Sequence, residues 1–135
     1  MRTSSAPSSK VPDGIEVVRD DRVIFTYGFS GPGAVLECIE QLGHALKGAL
    51  FRAKTLDEVS AKLLVHARVR EVEAGRADRR ALQILEGVGI QARGRTIVDD
   101  PVGGPLAELE GLESPEEVYE RLIGSPRLRC LAWSE

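Results

Sequence analysis

Residues 55–75 read TLDEVSAKLLVHARVREVEAG, and how this stretch is divided decides the fold. Thr55 and Glu58 stand at capping-box spacing, where each side chain satisfies an orphan backbone N–H of a helix start. The spacing predicts one helix from Thr55 to near Gly75. On it Leu56, Val59, Leu63, Ala67 and Ala74 form one apolar stripe. Ala61, Val65, Val69 and Val72 form a second, on nearly the opposite side. A surface helix carries one stripe; a helix apolar on two sides is covered on both. Two readings fit equally: a central helix sandwiched within the monomer, or, since a chain of 135 residues has few elements to do the covering, a surface of Ala61, Val65, Val69 and Val72 for self-association or a partner protein.

Toward the N-terminus, Ile15–Val18 and Val23–Tyr27 are β-rich runs separated by the polar Arg19-Asp20-Asp21-Arg22, the pattern of a hairpin. Gly28-Phe29-Ser30-Gly31-Pro32-Gly33 then breaks the strand, and a first helix is expected from about Pro32 to Leu50. Val35, Ile39, Leu42, Leu46 and Leu50 would share its apolar face, with Glu37, Glu40, His44 and Lys47 opposite. Residues 1–12, rich in Ser and Pro, read as a disordered tail ahead of one domain over 13–135.

Toward the C-terminus, a short helix is expected over Ala77–Glu86, a short strand at Thr96–Val98, and a loop at Asp99–Pro105. Ser114-Pro115-Glu116-Glu117 has an N-cap Ser, a first-turn Pro and an acidic first turn, and opens a helix ending near Gly124. Leu128–Trp133 reads as a final strand. The order becomes β-β-α-α-α-β-α-β. This is α+β: a small sheet of three or four strands packed on one face by three or four helices.

Composition narrows the function. The net charge of −3 argues against nucleic acid, and residues 52–118 hold no aromatic on which a base could stack. No apolar run of membrane-spanning length occurs. Charge is split: residues 52–95 carry 10 Lys/Arg against 6 Asp/Glu, and residues 96–135 carry 3 against 9. Such asymmetry suits ionic docking. Cys38 and Cys130 form no C-x-x-C pair and read as free thiols of a cytoplasmic protein.

The Gly-rich turn is the most suggestive local chemistry. A strand, a turn and a helix N-terminus can present free N–H groups to an anion. The run lacks the spacing of a dinucleotide fingerprint and the Lys of a phosphate loop, and Pro32 stands where a nucleophile elbow needs Gly. Tyr27, Gly28, Ser30, Gly31 and Gly33 are the candidate ligand residues, with His66 as a distant acid/base. The sequence asks for no metal and no cofactor. Its first functional reading is a non-enzymatic interaction module or accessory subunit that self-associates or binds a partner through the second helix. The alternative is a small ligand-binding protein or enzyme using the Gly28–Gly33 turn.

Overall fold

The computed structural model describes residues 13–99 and 106–132. The expected tail at 1–12, most of the loop at 99–105 and Trp133 lie outside these residues. The hairpin forms as read: β1 (Ile15–Arg19) pairs antiparallel with β2 (Arg22–Tyr27). Asp20 and Asp21 both take positive φ, 54° and 63°, the conformation a tight two-residue hairpin turn requires. Helix α1 (Pro32–Leu42) is shorter than expected, because Gly43 at φ 52° stops it and a 3₁₀ turn follows over Gly43–Leu46.

The 55–75 stretch is not one helix. Strand β3 (Leu50–Leu56) takes its beginning, α2 (Glu58–Ala67) its middle, and β4 (Glu71–Asp78) its end. Arg68, in the left-handed region at φ 63°, stops α2; its N–H returns to the carbonyls of Leu64 and Val65. Thr55 is no cap but a strand residue. The N-cap is Asp57, whose carboxylate accepts from the Ser60 N–H at 2.8 Å. Val72, at helical spacing from Val65 and Val69, lies on a strand whose own alternation is visible: Val72 and Ala74 are buried between half-exposed Glu71, Glu73 and Gly75.

Helix α3 (Arg79–Gly87) and strand β5 (Gln91–Val98) follow, the strand five residues longer at its start than expected. Then come α4 (Ala107–Glu110), α5 (Pro115–Gly124) and α6 (Pro126–Leu131). The expected last strand is α6: Ser125 caps it through the Leu128 N–H, and Pro126 fits its first turn.

The sheet has five strands, not three or four, in the order β2-β1-β3-β4-β5, with β3, β4 and β5 parallel. The crossovers through α1, α2 and α3 each step in the same direction across it. All three helices therefore lie on one face, and α2 packs against both α1 and α3. The α+β class stands, but the helices exceed the expected three or four, and α5 packs over α2 rather than on the sheet. Val17, Phe51, Val72 and Ala92 form a register row toward the helices, each buried. Full burial of such a Val or Phe side chain contributes about 1.5–3 kcal/mol. The adjacent row carries alternating charge: Glu16, Arg52, Glu73, Arg93. Arg52 lies 3.2 Å from both Glu16 and Glu73, and Arg93 bonds Glu73 and Glu71. Ion pairs thus lace the sheet face opposite the helices.

Candidate functional site at the carboxyl edge of the sheet

Strands β2, β3, β4 and β5 all end at one edge, where α1, α2 and α3 begin. In doubly wound sheets ligands bind outside the carboxyl ends of the strands where the strand order reverses; here the crossovers all step one way, so this edge is a candidate by its residues alone. The Gly-rich turn sits at this edge. Ser30 Oγ lies 2.8 Å from Thr55 Oγ1, joining the turn to the end of β3. Tyr27 is half-buried, its ring parallel to Phe25 with centroids 6.1 Å apart; alternate strand residues share a face, as the sequence implied. Phe29 leans on Tyr27 and is 62% exposed.

Within the turn only Gly31, at φ 109°, needs a glycine for its backbone. The tighter constraint is Gly14, where a Cβ would stand 2.0 Å from the Tyr27 carbonyl oxygen. The end of β2 passes directly over it. The Gly33 N–H, a candidate anion donor, already donates to the Ala132 carbonyl at 3.1 Å. The end of α6 therefore faces the start of α1, negative dipole to positive.

Two residues that the sequence reading left out of the site stand at its centre. Asp57 and Asp78 follow the paired residues Leu56 and Ala77 at the ends of β3 and β4. Each caps the next helix, Asp57 through Ser60 and Asp78 through the Arg80 N–H at 3.0 Å. Asp57 is an exposed residue, but the protein packed around its carboxyl desolvates that group and raises its pKa. Hydrogen bonding from Ser60 opposes the shift, and the charge of Asp78 adds to it. Arg79 lies 2.7 Å from Asp99, so an ion pair closes the β5 side. Thr55, Arg76 and Thr96 pair in one exposed row across the three parallel strands. A signal was available: Leu56-Asp57-Glu58 and Ala77-Asp78-Arg79 repeat an apolar residue, Asp and a helix start.

His66 does not join this edge. It lies in the last turn of α2, about 12 Å along the helix from Glu58. Its ring stacks on Tyr119 with centroids 4.3 Å apart, and Nδ1 is 3.8 Å from Glu116. The expected association stripe is likewise redistributed. Ala61, Val69 and Val72 are 0%, 3% and 0% exposed, and Val65 packs partly buried against the same core. The second apolar side of α2 is covered within the chain, by α5 and the neighbouring helices, and offers no helical stripe to a partner. Among the described residues no three His, Cys, Asp or Glu are grouped to hold a metal ion, and no helix is long and apolar enough to cross a membrane. Cys38 and Cys130 are free; burial pushes the Cys38 thiol up to about 12, which leaves it unreactive.

No family model matches this sequence, and no curated protein does. Among solved structures, a DUF1893 family protein from Thermotoga maritima is similar, with a TM-score of 0.72 and 18% identity over 82% of this chain and 79% of that one. At that identity the likeness concerns architecture: this chain has the fold of that DUF1893 family protein.

Proposed function

We propose that this protein binds a small polar molecule at the carboxyl edge of its sheet, and that the molecule presents N–H or O–H donors, with a positive charge favoured. The observation that carries this reading is Asp57. Asp57 is an exposed residue whose carboxyl caps α2, is desolvated by the protein around it and faces the charge of Asp78. A cationic donor would offset the cost of that desolvation and the like-charge repulsion. The Ser30–Thr55 hydroxyl pair adds adaptable donors and acceptors beside it. An anion suits the edge less well, since carboxylates already occupy the N-termini of α2 and α3, and the Gly33 N–H is taken.

Amide NMR spectra, recorded while small diamines, amino alcohols and inorganic phosphate are titrated in turn, test the proposal. Amines should shift the signals of Ser30, Thr55–Glu58 and Asp78, and Asp57→Asn should weaken the response. Phosphate-induced shifts over Gly31–Ala34, with no response to amines, would overturn it.

A further inference from the structure

The sheet face opposite the helices carries uncompensated charge beside this edge. Its row Glu16-Arg52-Glu73-Arg93 is balanced within itself, acid against base. Two residues further along the strands, on the same face, stand Lys54, Gly75 and Arg95. The pairs Ala53–Ala74–Gly94 and Thr55–Arg76–Thr96 bracket them on either side. Lys54 and Arg95 are exposed, and among the described residues neither has an ion-pair partner. Arg76, in the next row, is already engaged and adds no vacant charge. The nearest acid on β4, Glu73, is held between Arg52 and Arg93. Two strand spacings separate Lys54 from Arg95, about 10 Å at the backbone, and Gly75 puts no side chain of its own between them.

A wall stands on the β1 side of this row. Gly14 lies two residues before Glu16 and shares its face, and its carbonyl accepts from the Lys54 N–H at 2.9 Å. A Cβ on Gly14 would stand 2.6 Å from the backbone of Gly28 and Phe29. The Gly-rich turn therefore crosses this face beside Lys54, and the Ser30–Thr55 hydroxyl bond ties it down. Two cations over a glycine floor, with a wall at one side, select an anionic oxygen group. Asp57 is extended at φ −109°, three residues beyond Lys54, so its carboxylate lies roughly 10 Å along the strand from this row. We propose, resting on the reading of Asp57 as an amine site, that the ligand of this edge is a zwitterion. Its ammonium meets Asp57, and its carboxylate or phosphate ester lies over Gly75 between Lys54 and Arg95. The separation favours a molecule with charges at opposite ends of a chain over one with both on a single carbon. The anion thereby avoids the helix N-termini, where Asp57 and Asp78 already act as caps.

Amide NMR titrations with hexylamine, hexanoate, ε-aminocaproate and aminohexyl phosphate test this. At least one of the two zwitterions should bind about tenfold more tightly than hexylamine, or about 1.4 kcal/mol, since two linked contacts reinforce each other. It should move the signals of Lys54, Gly75 and Arg95 together with that of Asp57, and the tighter of the two names the anionic group. Lys54→Gln and Arg95→Gln, at exposed positions, should each remove most of the advantage and leave hexylamine binding as it was. Lys47→Gln, exposed ahead of β3 at the other end of the sheet, should change neither. Zwitterions no tighter than hexylamine, or an advantage that survives both variants, would overturn the zwitterion and leave the amine site standing. Hexanoate shifts at Gly31–Ala34 instead of the Lys54–Arg95 row would do the same. No response at Asp57 to any amine would overturn both readings. Circular dichroism of each variant separates lost binding from lost fold.

Discussion

Helices α2 and α3 begin alike and end up in different surroundings. Each follows a parallel strand, and each is capped by an Asp at the strand's end. In α2, every residue from Glu58 to Leu64 is buried, including Ser60, Lys62 and the acidic Glu58. In α3 the buried residues are Ala81, Leu82 and Leu85, a single stripe. The difference comes from position. Helix α2 is flanked by α1 and α3 and overlaid by α5, whereas α3 packs beside α2 and over β4 and β5. Local chemistry sets where a helix starts, and neighbours set what its faces can do.

The comparison can be pressed hardest through the core. Leu63→Ala in α2 should cost about 2–5 kcal/mol, because a fully buried leucine leaves a cavity. Ile84→Ala on the half-buried flank of α3 should cost clearly less in the same urea titration; equal losses would erase the distinction between the helices. Next in size, Lys62→Met should destabilise by about 3 kcal/mol, since it breaks a buried ion pair and frees two carbonyls at the end of α4. Faster hydrogen exchange at residues 109–112 than in the body of α3 would localise the effect.

The caps give smaller effects. Asp78→Ala should cost about 1 kcal/mol through loss of the N-cap. Asp57→Asn keeps a capping side chain and removes the crowded charge. Because the folded-state pKa of Asp57 is raised, its favourable contribution is fully present below the unfolded value of about 3.9 and is lost as pH rises through the folded value. The Asn variant should therefore gain stability relative to the parent at about pH 7 and lose that advantage at about pH 4. Urea midpoints at the two pH values measure the change, and a constant difference would show that the Asp57 charge costs the fold nothing.

The first hairpin turn and one helix cap were legible in the sequence, whereas the Thr55–Glu58 spacing misplaced the start of α2. Asp20-Asp21 marked the hairpin, and Ser114-Pro115-Glu116-Glu117 marked α5 within a residue. The same signature stands at Ser125-Pro126, but the apolar alternation of Leu128 and Cys130 masked α6 as a strand. Strands β3 and β4 were hidden for a related reason. Each has only one large inward residue, Phe51 or Val72, beside a small one, Ala53 or Ala74, and charged residues outward, so neither reads as a β-rich run. Val72 then completed a helical spacing with Val65 and Val69. At the site, the turn around Ser30 was legible, but the partnership of Ser30 with Thr55 and the adjacency of Asp57 to Asp78 exist only once β3 and β4 are placed.

The bond from the Gly33 N–H to the Ala132 carbonyl has a consequence for how the chain is made. Helix α1 leaves a ribosome well before α6, and one of its initial donors is satisfied by Ala132, 99 residues later. During synthesis that donor stays with water while the residues between are translated. Nascent chains halted before α6 should accordingly be cleaved by protease near Gly31–Ala34, and released chains that include Ala132 should resist it.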